Sequence, residues 1–215
     1  MRVPPRLLQR AKLGDTVAQC RVADRLMSSE RASAYRAAMP WLRRAASRER
    51  WAAYHLGLIY DHGLGVRTNR TAAISWYERA VAKGYDSAQL NLGIILANRP
   101  GAKRDEARAV RLYRSAARQG NRNAAYNLGL YYSEGRGVAR NLRMARRWFG
   151  QAAANGDRDA AKALRSLGPV ANPRLQRTAL RAAAEPPSRW TALAGTSEPT
   201  SRQRGGPHDR ASGTR

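Results

Sequence analysis

Residues 52–84 read AAYHLGLIYDHGLGVRTNRTAAISWYERAVAKG, and the pattern returns twice. Leu56-Gly57 comes back as Leu92-Gly93 and Leu128-Gly129, at a constant offset of 36 residues. Ala73, Ala109 and Ala145 keep that offset, as do Trp76, Leu112 and Trp148. So do Ala80, Ala116 and Ala152, and then Gly84, Gly120 and Gly156. A fixed period of this size marks stacked supersecondary units rather than one closed domain.

Each unit divides into two helical patterns. Ala53, Leu56, Gly57 and Tyr60 share one helical face, and Ala73, Trp76, Tyr77 and Ala80 share another. Between them, Gly63-Leu64-Gly65-Val66 can take positive φ and stop the first helix. Asn69, Asp105 and Asn141 stand where an N-cap of the second helix is expected. Gly84, Gly120 and Gly156 stand where that helix should end. Gly57, Gly93 and Gly129 fall inside helices, at about 1 kcal/mol each relative to alanine. Their recurrence at one place predicts a close neighbour that a Cβ would obstruct.

These residues resemble the Sel-one-like repeat, a branch of the tetratricopeptide-like helical repeats. The pattern is A-x-x-x-L-G-x-x-Y-x-x-G-x-G-V, then A-x-x-W-Y-x-x-A-x-x-x-G. It is close in 52–84 and in 124–156, with Ala124, Leu128, Gly129, Tyr132, Gly135, Gly137, Val138, Ala145, Trp148 and Gly156. Residues 88–120 depart from it: Arg99 and Ala102 replace a loop glycine and the valine, Pro100 precedes Gly101, and Leu112 replaces the tryptophan. The resemblance implies an all-α fold, a right-handed superhelical solenoid of antiparallel helix pairs.

Upstream, a degenerate first unit puts Ala18, Val22 and Ala23 in the places of Ala52, Leu56 and Gly57. Trp41, Ala45 and Ala46 take those of Trp76, Ala80 and Val81. Pro40 is expected to kink its second helix or delay its start. Before it, Pro4-Pro5 opens and Gly14 closes a further helix. After the fourth unit, residues 158–167 read as a capping helix ending at Gly168-Pro169. Residues 1–168 therefore read as the solenoid. Residues 169–215, rich in Pro, Ser, Gly and Arg, read as a mostly disordered tail, with a short helix over 175–184 that could dock through Leu175, Leu180 and nearby Trp190.

The chemistry inventory is short. Cys20 is the only cysteine, so no intramolecular disulfide forms, and its apolar neighbours predict a buried small hydrophobe. His55 and His62 lie seven residues apart, too few ligands for a metal site. Asp105-Glu106 reads as a helix start rather than a catalytic pair. No phosphate-binding G-x-x-x-x-G-K-[ST] occurs, and the loop glycines follow helices rather than strands. Some secreted members of the resembled family carry paired cysteines and are linked to β-lactams. This chain has neither those pairs nor a Ser-x-x-Lys, so that activity is not carried over. No enzyme, cofactor or metal is expected. The N-terminus shows no secretory pattern and no run approaches a membrane span, which leads to the expectation of a cytoplasmic monomer.

Surfaces remain. His55, Asn91 and Asn127 are in register on the first helices, with Gln89 and Tyr131 expected nearby. An amide ladder at repeat spacing can hydrogen-bond the backbone of a protein or peptide partner. The chain also carries a formal charge of +25, with 40 basic residues of which only four are lysine. Arg108, Arg111, Arg114 and Arg118 follow one helix face, and Arg140, Arg143, Arg146 and Arg147 cluster in the next unit. These stripes suit a nucleic acid or another polyanion, or they reflect a GC-rich genome. The first reading is a non-enzymatic protein-interaction scaffold; the alternative is polyanion binding through the arginines.

Overall fold

The computed structural model describes residues 3–98 and 103–168. Ten helices follow one another, with no strand among the described residues. They are α1 (Pro5–Lys12), α2 (Thr16–Met27), α3 (Ala32–Ala45), α4 (Arg50–His62), α5 (Arg70–Ala82), α6 (Asp86–Ala97), α7 (Lys103–Arg118), α8 (Arg122–Glu134), α9 (Leu142–Ala154) and α10 (Arg158–Ser166). Each packs chiefly on the helices before and after it. This is a solenoid of helix pairs: α2/α3, α4/α5, α6/α7 and α8/α9, closed by α1 and α10. The readings of 169–215 and of the loop 99–102 lie outside the described residues.

The helix ends follow the sequence signals. Asn69 and Asn141 cap α5 and α9, each side-chain oxygen accepting from the N–H three residues on at 2.9 and 3.0 Å. Asp105 is a correction: it lies in the first turn of α7, which already begins at Lys103. There its charge, with that of Glu106, faces the positive end of the helix dipole. Gly84 has φ 74° and closes α5 in a Schellman turn, with Gly84 N–H to Val81 O at 2.8 Å and Tyr85 N–H to Ala80 O at 3.1 Å. The same pair of bonds recurs at Gly120 and Gly156.

The second correction is the late start weighed for the helix of Pro40. Helix α3 does not start late; it runs from Ala32 through Pro40 to Ala45. Pro40 and Arg36 both face solvent, so water can satisfy the carbonyl that the missing proline N–H leaves over.

The helix glycines have a packing cause. A Cβ on Gly57 would lie 2.5 Å from the ring of Tyr77; on Gly93, 2.5 Å from Tyr113; on Gly129, 2.6 Å from Phe149. In each pair an aromatic ring of the second helix rests on the bare backbone of the first. All three rings are at most 2% exposed, and burying each contributes roughly 1.5–3 kcal/mol. The first repeat solves the same joint differently: Ala23 stands at the glycine position and Leu42 at the ring position, both fully buried. The core runs without a break from Ala23 to Leu164, with a small separate cluster of Ala11, Ala18 and Val22 where α1 caps the stack.

Candidate partner-binding face

The helix pairs sort into two layers, the first helices (α2, α4, α6, α8) and the second helices (α3, α5, α7, α9). Side chains reach between repeats to hold each layer in register. Lys83 Nζ donates to the Ser47 carbonyl at 2.8 Å, and Asn155 Nδ2 to the Gly120 carbonyl at 3.2 Å. Asn121 Nδ2 donates to Asp86 Oδ2 at 2.8 Å. Lys83 and Asn155 hold the same place in their repeats, so one joint is used more than once.

On the first helices, the column His55–Asn91–Asn127 lies half-buried and in register. The His55 ring packs against Trp51 with centroids 4.1 Å apart and planes tilted by 44°, and meets the edge of Tyr54 at 5.3 Å. Burial pushes its imidazole pKa down to about 4, so it is neutral at physiological pH. A neutral imidazole both donates and accepts, and it therefore resembles the two amides in its column. Asn91 Nδ2 donates to the Tyr77 hydroxyl at 3.3 Å, and its amide also hydrogen-bonds the Tyr54 side chain, so its carbonyl oxygen is the group left to meet a partner.

Gln89 and Tyr131 lie elsewhere than in this column. Gln89 is 5% exposed, and its carboxamide oxygen accepts from Gln119 Nε2 at 3.0 Å. Tyr131 is 4% exposed, packed edge-on against Tyr113 at 5.5 Å with the Arg136 guanidinium 4.5 Å from its ring. The repeat register explains both. Gln89 takes the place of buried Ala53 and Ala125, and Tyr131 that of buried Ile59 and Ile95. A polar residue at a core place turns inward with the rest of its column.

Sequence reasoning missed a second column. Leu58, Ile94 and Leu130 stand three residues beyond His55, Asn91 and Asn127, one turn along the same helix faces. Ile94 is 38% exposed, Leu130 is half-buried and Leu58 is nearly covered. The signal was present as three apolar residues at the repeat offset. The result is an apolar stripe beside an uncharged polar one.

The arginines do not form the uniform stripes expected. Arg108 pairs with Glu78 at 2.7 Å, and Arg114 donates to the Tyr132 hydroxyl at 2.7 Å. Arg140 donates to the Ser133 carbonyl at 3.0 Å, and Arg146 to the Leu167 carbonyl. Arg111, Arg118, Arg143 and Arg147 are exposed. Cys20 is half-buried, and burial pushes its thiol up to about 12, which keeps it protonated and unreactive. Among the described residues no group of His, Cys, Asp or Glu has the arrangement of a metal site, and no helix is long and apolar enough to cross a membrane.

Comparison with known proteins agrees with this geometry. The family model of the Sel1 repeat matches residues 16–49, 52–85, 86–121 and 122–157. Among solved structures, the chain is similar to c5321, a protective antigen present in uropathogenic Escherichia coli strains and displaying an SLR fold. The two are 34% identical with a TM-score of 0.72, over 85% of this chain and 41% of that one. The chain thus spans about two fifths of that protein's length. It is also similar to a Sel1 repeat protein from Oxalobacter formigenes, at 26% identity and TM-score 0.68, over 85% of this chain and 76% of the other. No curated protein matches the chain. Proteins built of this repeat are generally non-enzymatic protein-interaction scaffolds. With four consecutive matches that take in the degenerate first unit as well, the chain belongs to the Sel1 repeat family.

Proposed function

We propose that the protein is a scaffold whose first-helix layer holds an extended, largely uncharged segment of a protein partner. One observation carries this reading: the apolar column Leu58–Ile94–Leu130 runs beside the uncharged polar column His55–Asn91–Asn127 at repeat spacing. Apolar side chains of a peptide would pack on the first column, and its backbone N–H and C=O groups would meet the amides of the second. Solenoid layers of this kind present an extended surface rather than a closed pocket, which suits a segment and not a small substrate. No reaction is assigned to the chain.

The test is to select peptides from a displayed random library on the immobilised full chain and then map the selected peptide by amide hydrogen exchange. Protection is expected in α4, α6 and α8. Protection confined to α5, α7 and α9, or selection of strongly acidic peptides only, would overturn the reading.

A further inference from the structure

Charge is segregated between the two layers. Helices α3, α5, α7 and α9 hold 14 Arg and Lys against three Asp and Glu, whereas α2, α4, α6 and α8 hold four of each. A genome that favours arginine codons acts on both layers alike, so composition bias alone does not produce this division. First helices have exposed positions too, and only Arg21 and Arg50 among them are basic; the others are Val17, Asp24, His62, Ile94, Asn123 and Glu134.

The surplus on the second layer is not neutralised locally. Glu78 is engaged by Arg108, Glu106 by Arg136 at 3.0 Å, and Asp105 has a partner of its own. Arg111, Arg118 and Arg143 are exposed without an acidic partner among the described residues. Arg147 is exposed with its guanidinium 5.8 Å from the Trp148 ring centroid. Arg111 and Arg147 share one repeat position, 36 residues apart, so an exposed cation recurs at the same place on two successive second helices. The layer is continuous, because Lys83 reaches Ser47, Arg108 reaches Glu78, and Gln151 Nε2 donates to the Ala117 carbonyl at 2.7 Å.

We propose that this second-helix face docks the phosphate backbone of a nucleic-acid duplex without reading its sequence. Guanidinium forks match phosphate oxygens, and neutralised phosphates release counterions. The residues around the arginines select among anions. Large exposed hydrophobics among the described residues are Leu13, Val17 and Ile94, none on this layer, so it offers no wedge for a lipid surface. Its tryptophans are poor platforms for unpaired bases: Arg44 sits 5.2 Å over Trp41 and Arg79 4.4 Å over Trp76.

The test uses the full chain and a short fluorescent duplex of random sequence, titrated over a salt series. Tight binding is expected at low salt, with a steep loss as salt rises. The variant carrying Arg111→Gln, Arg118→Gln, Arg143→Gln and Arg147→Gln should flatten the slope of log K against log salt by about 3–4 and weaken binding at least tenfold at about 0.1 M salt. The four Arg→Lys changes should keep most of that slope. A variant with Arg202→Gln, Arg204→Gln, Arg210→Gln and Arg215→Gln removes as many charges from residues beyond the described ones and should cost less. A milder Arg111→Gln, Arg118→Gln pair, checked by circular dichroism, guards against a folding defect and should show about half the change in slope. The proposal fails if the duplex does not bind, if the 202–215 variant accounts for the loss, or if phosphatidylserine vesicles bind where the duplex does not.

Discussion

The two helix layers are made by the same repeat and differ in nearly everything they show to solvent. The first presents amides, a neutral histidine and an apolar column, and its helix charges balance. The second presents arginine over small residues. They meet at one joint, a glycine of the first helix under a ring of the second. A repeat therefore conserves its inner contact and leaves two outer faces free to diverge. The first unit shows that the joint can be rebuilt, with Ala23 and Leu42 in place of glycine and ring.

The largest expected effect breaks that joint. Gly93→Val would drive a branched side chain into the Tyr113 ring and should destabilise by about 3 kcal/mol or more, read as a lower midpoint in urea. Gly93→Ala with Tyr113→Leu copies the first repeat and should recover part of the loss relative to either change alone. Simple additivity in that cycle would mean that glycine and ring do not act as a pair.

Next comes the first face. Ile94→Asp puts a charge into the apolar column at a position 38% exposed, so stability should change by less than about 1 kcal/mol while affinity for a selected peptide falls at least tenfold. The histidine of that face gives a pH signature. His55 has an ordinary value of 6.5 and a folded value near 4, so the unfolded chain binds more protons between them. Its contribution is complete above pH 6.5 and is lost as pH falls towards 4. Stability should drop across that window, and His55→Gln should flatten the drop.

The smallest effect is at the edge between layers. Arg43 donates to the Tyr60 hydroxyl and Arg114 to the Tyr132 hydroxyl, both at 2.7 Å, at matching places of the first and third units. Arg114→Gln should cost roughly 0.5–1 kcal/mol, and Arg43→Gln, more exposed, less.

Most of the fold was legible because its determinants are local and repeated. Asn69 and Gly84 announced a cap and a stop, and the structure uses them so. The recurring helix glycines announced a close neighbour, but not that it would be Tyr77, Tyr113 or Phe149, a contact twenty residues away. Asp105 was misplaced because α7 starts earlier than its counterparts. The face was harder to read. Gln89 and Tyr131 were judged by residue type, whereas their repeat places, shared with buried alanines and isoleucines, decide that they turn inward. Ile94 was passed over because an apolar residue in a helix reads as core until its exposure is known. The charge division needed the layers to be assigned first.

The most direct test of the two-face account is calorimetric titration of a selected peptide into the wild type, Ile94→Asp and the four-arginine glutamine variant, at low and moderate salt. The account predicts that Ile94→Asp alone loses binding, and that wild-type affinity changes little with salt. Unchanged binding by Ile94→Asp, or loss in the arginine variant with a steep salt dependence, would contradict it.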